Sequence, residues 1–106
     1  MGKKSISCPV ETTLGVINGR WKVLVIYHLL GGTKRFGELH RALAGISHRT
    51  LAKQLREMEA DRLVRRKVYA QVPPKVEYSL TPLGLTLKPI LSAMDKWARG
   101  YAKPSG

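Results

Sequence analysis

The chain has 106 residues, with 19 Lys+Arg against 7 Asp+Glu, a formal net charge of +12 and a single cysteine. This length sets one domain of ordinary size, and the 43% hydrophobic and 25% charged shares exclude wholesale disorder. No apolar stretch approaches the ~20 residues of a membrane span, and no hydrophobic segment follows Lys3 and Lys4 as a secretory signal requires. One cysteine excludes an intramolecular disulfide framework and fits a reducing compartment. The expectation is a soluble, cytoplasmic protein whose excess cations attract a polyanion, most commonly nucleic acid.

Residues 1–7 read as a flexible basic segment. Cys8-Pro9 opens a short helix with Val10, Leu14 and Ile17 as its apolar stripe, and Asn18-Gly19 stops it. A second helix is expected from Trp21, apolar almost all round through Val23, Leu24, Val25, Ile26, Tyr27, Leu29 and Leu30, and hence buried. Gly31-Gly32 ends it. A third helix is expected over Arg35–Ala44, with Phe36, Leu39 and Leu43 inward. Ser47 then caps a fourth helix, Ile46 and Leu51 fall at the positions of a hydrophobic staple, and Leu51, Leu55 and Met58 form its core stripe. That helix should end near Asp61 or Arg62.

From Val64 the apolar period changes to two. Val64, Val68 and Ala70, then Val76, Tyr78 and Leu80, form two alternating runs around a loop holding Pro73-Pro74, which predicts a β-hairpin. Thr81-Pro82 starts a last helix with Leu83, Leu87, Ile90, Leu91, Met94, Trp97 and Tyr101 as its apolar series. Pro89 removes a backbone donor inside that series and implies a kink or break near Leu87. Residues 102–106 read as a flexible tail, leaving 8–101 as the domain.

Two short helices joined by a tight turn, then a hairpin, then a closing helix, is the order of a winged helix-turn-helix, whose second helix enters the DNA major groove. At ~100° per residue from Leu51, the residues Arg49, Lys53 and Arg56 face away from the core, with His48, Thr50 and Gln54 on the flanks. Arg suits guanine, Gln suits adenine, and Thr or Lys suits several acceptors. The reading assigns Ser47, His48, Arg49, Thr50, Lys53 and Gln54 to orientation and base readout. Arg35, Arg56, Lys67 and Lys75 are assigned to phosphates.

Several strings carry a resemblance: Cys8-Pro9-Val10, Gly19-Arg20-Trp21-Lys22-Val23-Leu24, Arg35-Phe36-Gly37-Glu38-Leu39 and Gly45-Ile46-Ser47. They continue as Leu55-Arg56-Glu57-Met58-Glu59-Ala60-Asp61 and as the run from Pro73 through Tyr78, Thr81 and Pro82 to Gly84. In this order the chain, from Cys8 to about Trp97, resembles the HxlR family of bacterial winged-helix transcriptional regulators, relatives of the MarR type. The resemblance implies a mainly α, α+β fold: a winged helix-turn-helix with a two-stranded β wing and a C-terminal dimerisation helix. It also implies a homodimer on a pseudo-palindromic operator, built from segments near Pro9–Asn18 and Pro82–Tyr101. The interface residues expected here are Val10, Leu14, Ile17, Leu91, Met94 and Trp97. One departure is visible: Arg62 stands where the family often has Gly, which predicts a modified helix cap.

Cys8 stands where several HxlR-type regulators carry a redox-sensing cysteine. A thiol just ahead of a helix N-terminus, close in sequence to Lys3 and Lys4, has the positive surroundings that make cysteines reactive. A small inert residue at a dimer seam is the competing reading. An oxidant or other small-molecule effector is the partner this site would take. His28, His40 and His48 lie on three separate helices without metal-ligand spacing, and no phosphate loop or nucleophile–base signature occurs. Neither a metal, nor a cofactor, nor an enzymatic activity is expected. The competing functions are a basic RNA-binding domain and a protein-interaction winged helix meeting an acidic partner.

Overall fold

The computed structural model describes residues 8–103, and the chain opens there on the proline-led helix α1 (Pro9–Ile17). Asn18 leaves the helical region and Gly19 takes a left-handed φ of 77° to turn the chain into α2 (Gly19–Leu29). After Gly31-Gly32, a two-residue strand β1 (Lys34–Arg35) runs directly into α3 (Phe36–Ala42). Glu38 receives the Arg35 backbone N–H at 2.7 Å, fixing the first turn of α3. Gly45, at φ 92°, makes the tight link to α4 (His48–Ala60). Strands β2 (Val64–Tyr69) and β3 (Lys75–Leu80) form the hairpin, followed by α5 (Pro82–Leu85) and α6 (Lys88–Ala102).

One hydrophobic core joins these elements. Val25, Ile26 and Leu29 of α2, Leu39 of α3, and Leu51, Leu55 and Met58 of α4 meet there, floored by Val64, Tyr78 and Leu80 of the sheet. The hairpin register pairs Val64 with Leu80 and Tyr69 with Lys75. Alternation then sends Val64, Tyr78 and Leu80 inward, and Arg65, Lys67 and Tyr69 to the outer face. As Pro89 predicts, the last helical series breaks near Leu87, which occupies the N-cap position of α6 and is itself buried.

The fold corrects several expectations. The two-stranded wing, β2 and β3, forms as expected, but the sheet extends beyond it: β1 pairs antiparallel with β3, giving three strands in the order β1-β3-β2. α3 stops at Ala42, two residues early, although Leu43 stays buried beyond it, and α2 starts two residues before Trp21. α2 is also not buried all round, because Tyr27 is exposed while Trp21, Val23 and Leu24 are half-buried. Ile17 and Leu91, expected at a dimer seam, lie in the core of the single chain, since the inner edges of α1 and α6 close it from one side. The expected basic segment 1–7 lies outside the described residues, as do 104–106 at the end of the expected tail.

The end of α4 keeps the full left-handed cap despite Arg62. Arg62 takes φ 65°, its N–H reaches the Glu59 carbonyl at 2.9 Å, and the Leu63 N–H reaches Met58 at 2.9 Å. This is the paired bonding of a Schellman motif, with Leu63 and Met58 both buried as its apolar contact. The cap therefore stays unmodified, because the buried Leu63 and the next strand demand that turn. Beyond it, the Thr81 hydroxyl donates to the Arg62 carbonyl at 2.6 Å. A Cβ on Gly84 would collide with the Leu63 carbonyl, so only glycine lets α5 come this close. Because a left-handed residue with a Cβ costs ~1–2 kcal/mol, Arg62→Gly should stabilise the fold by about 1 kcal/mol. Thermal unfolding should show the midpoint rising by roughly 4–8 °C.

Candidate nucleic-acid interface

The turn from α3 into α4 presents a cationic surface. Ser47 Oγ accepts the Thr50 backbone N–H at 3.0 Å and donates to Thr50 Oγ1 at 2.9 Å, so the cap sequence reasoning expected forms and engages both residues. Ile46 and Leu51, the staple pair, are both buried. With Leu51, Leu55 and Met58 buried, the side chains of Arg49, Lys53 and Arg56 are exposed along the outer side of the helix, and Thr50 and Gln54 are half-buried on its flanks. Among the described residues neither Arg49 nor Arg56 makes an ion pair, whereas Lys53 Nζ lies 3.8 Å from Glu57 Oε2.

The outer face of the sheet is a second basic surface. Register places Arg35 of β1 and Lys67 of β2 on either side of Glu77 of β3. Glu77 accepts the Tyr69 hydroxyl at 2.8 Å and faces Lys75 Nζ at 3.5 Å. The ammonium groups of Lys67 and Lys75 both lie over the Tyr69 ring, at 4.9 and 4.6 Å from its centroid. Between α4 and the sheet lies a recess of about 340 Å³ lined by Ala52, Leu55, Arg56, Glu59, Arg66 and Tyr78.

A capped, leucine-backed second helix with outward cations, followed by a sheet of this order, has counterparts in known proteins. The model of the HxlR-like helix-turn-helix family matches residues 16–106. The HTH-type transcriptional regulator YybR of Bacillus subtilis (strain 168) is 57% identical over 90 residues, covering 85% of this chain and 72% of that protein. Among solved structures, the redox regulator HypR in its reduced form is 54% identical with a TM-score of 0.85, covering 88% of this chain and 92% of that one. The reduced form of the transcriptional regulator YodB from B. subtilis is 34% identical with a TM-score of 0.81, covering 95% and 100%. The chain belongs to the HxlR-like helix-turn-helix family. It is a transcriptional regulator and not an enzyme.

Within this HxlR-like frame the expected site residues separate. Ser47, Arg49, Thr50, Lys53 and Gln54 share the first two turns of α4. His48 is there too, but its ring is stacked on His40 at 3.9 Å and lies nearly parallel to Phe36 at 5.6 Å, so it is engaged with α3 instead of standing free for a base. The two histidines lie on separate helices, as expected, yet the tight turn brings their rings together. Arg56 lines the recess beside the sheet. Lys75 is half-buried and paired with Glu77, whereas Lys67 is exposed. Among the described residues, no group of three or more His, Cys, Asp or Glu is placed to hold a metal ion.

Sequence reasoning missed Lys22. It reads as one polar residue in an apolar helix, yet it is 7% exposed, and its Nζ meets Glu57 Oε1 at 2.8 Å, joining α2 to α4. No periodicity argument pairs residues so far apart in sequence. Arg65 and Arg66 are further exposed cations on β2 that the sequence pattern does not single out. Glu57 is held below the ordinary carboxylate range, first by the hydrogen bond and charge of Lys22 and then by Lys53.

Glu77 is likewise held below the usual range, chiefly by the Tyr69 hydroxyl, with Lys75 and Arg35 adding their charges. A carboxylate whose folded value is depressed adds stability above its unfolded value and loses it as pH falls through the folded one. Wild type should therefore melt above Glu77→Gln at neutral pH. The two melting curves should converge as pH drops below the ordinary glutamate range near 4.5, as a pH series of thermal melts would read.

Proposed function

We propose that this regulator binds a pseudo-palindromic operator as a homodimer in the cytoplasm, reading bases with the N-terminal half of α4 and anchoring on phosphates with the wing. One observation carries the reading. Ser47 and the buried Leu51–Leu55–Met58 stripe together leave Arg49 and Lys53 exposed on the second helix of a helix-turn-helix. Arg49, Lys53, Thr50 and Gln54 are assigned to base edges, with Arg49 matched to guanine. Arg35, Arg56, Lys67 and, more weakly, Lys75 are assigned to phosphate, and the exposed Arg65 joins them. Ser47 and His48 orient the helix.

The homodimer is supported by the apolar surface the chain leaves uncovered. Of the fifteen residues of α6 only Leu91 is buried, while Trp97 and Tyr101 stack at 4.9 Å and are 68% and 77% exposed. Val10, Leu14 and Met94 are exposed as well. The radius of gyration, 15.7 Å, exceeds the ~13 Å of a compact chain near this length. A second copy packed on α1 and α6 would cover that surface and space two α4 helices for half-sites about one helical turn apart.

Redox control through Cys8 is supported by the likeness to HypR, solved in reduced and oxidised forms, and to YodB. Cys8 is a free thiol, exposed at the N-cap of α1 on the side assigned to the dimer. Two Cys8 thiols, one from each protomer, would give up two protons and two electrons to an oxidant and form one disulfide across the dimer.

Operator duplexes selected from a random pool test the readout. Arg49→Ala should cost roughly 1–3 kcal/mol on the selected duplex and relax one position per half-site. Lys67→Ala should weaken all sequences alike and lower the salt slope by about one unit. Equal losses on every sequence for both variants would overturn the division of roles. Cys8→Ser should bind the operator normally but no longer release it on treatment with hypochlorite, a quinone or an aldehyde; normal release by that variant would remove Cys8 from the mechanism.

A further inference from the structure

The flank of α4 turned toward α2 carries a half-buried carboxylate beside the outward cations. Glu57 stands one turn beyond Lys53, and its two oxygens are divided between two lysines: Oε1 lies 2.8 Å from Lys22 Nζ and Oε2 lies 3.8 Å from Lys53 Nζ. The two pairs differ in kind. Lys22 comes from α2, and its side chain is only 8% exposed, so its ammonium depends on the carboxylate it meets. Lys53 is 65% exposed, and its contact is loose and readily exchanged. Lys22 therefore pins Glu57, and Glu57 in turn tethers Lys53.

That tether sits where charge matters for recognition. An unrestrained lysine on a recognition helix is drawn to any phosphate, which raises affinity without regard to sequence. A fixed carboxylate beside it cancels part of that pull at every DNA site. The ammonium then exchanges its partner only where a well-placed acceptor on a base edge competes with Glu57. We propose that Glu57, anchored by Lys22, is a specificity-determining residue that restrains Lys53 and so suppresses sequence-independent binding. The inference rests on the reading of Lys53 as a base contact.

The experiment measures binding of the full chain to a selected duplex and to an unrelated duplex of equal length, between about 50 and 200 mM salt. Wild type is compared with Glu57→Gln, Lys53→Ala and the double variant. Glu57→Gln should tighten binding to the unrelated duplex about three- to tenfold at the low-salt end and steepen its salt slope by up to about one unit. The selected duplex should gain less, so the ratio between the two falls. With Lys53→Ala already present, most of the effect of Glu57→Gln should vanish.

Because Glu57→Gln leaves Lys22 buried without its carboxylate, Lys22→Met/Glu57→Gln, which removes both charges, serves where the single variant melts. It should show the same loss of discrimination. Equal gains on both duplexes, or the same gain with and without Lys53, would overturn the proposal while leaving Lys53 as a base contact. No effect of Lys53→Ala on either duplex would overturn the base-contact reading itself, and this proposal with it.

Discussion

The rotation of α4 about its own axis is set by the burial of Leu51, Leu55 and Met58, which are at most 1% exposed, against the apolar side of α2. Each such side chain gains roughly 1.5–3 kcal/mol from leaving water, far more than any exposed ion pair contributes. Solvent-facing residues on α4 have no comparable hold on its orientation. The outward direction of Arg49, Lys53 and Arg56 is thus a consequence of what lies behind them. Both ends of the rod are then clamped, by the Ser47 cap at one and by the Met58–Leu63 turn at the other. A helix fixed at both ends and along its back has little backbone entropy left to lose when its cations meet a partner.

The closure of that turn explains how the wing is placed. Leu63 gives its N–H to Met58 and its carbonyl to the Thr81 N–H, so one residue links the end of α4 to the end of the hairpin. Gly84 packs against the same carbonyl from α5. β2 and β3 consequently leave and return at one point beside α4, and the outer sheet face with Arg35, Arg65 and Lys67 is held in fixed relation to the helix. β1 adds to this by pairing Arg35 with Glu77, which ties the start of α3 to the wing.

Features set by local pattern were legible in the sequence. The leucine spacing of α4, the serine cap, the alternating hairpin and the break at Leu87 all follow from contacts within a few residues. Features set by distant partners were not. β1 is two residues long and has no period of its own; only the neighbouring β3 makes it a strand. Lys22 reads as a solvated interruption of α2 until Glu57 is brought beside it. Ile17 and Leu91 share their helical stripes with exposed neighbours, and only the packed chain separates the core edge of a stripe from the part left open. The helical pattern puts His48 on α4, but the stacking of His40 on its ring depends on the turn at Gly45, which no local pattern encodes.

Charge distribution brings these elements together. Of the seven acidic residues in the chain, four hold local structure: Glu38 on the Arg35 N–H, Glu57 between Lys22 and Lys53, Glu77 on Tyr69 and Lys75, and Asp95 on Arg99. Scattered as surface neutralisers, the same acids would lower the net charge to no structural purpose. Placed as they are, they orient particular side chains and leave Arg49, Arg56, Arg65, Arg66 and Lys67 without an ion pair among the described residues. A long-range field from the whole +12 chain can draw a polyanion in, but it cannot tell one sequence from another. Under the proposed readout, discrimination falls to the few cations whose backbone is held in place, and on α4 that hold comes from buried leucines and a serine cap.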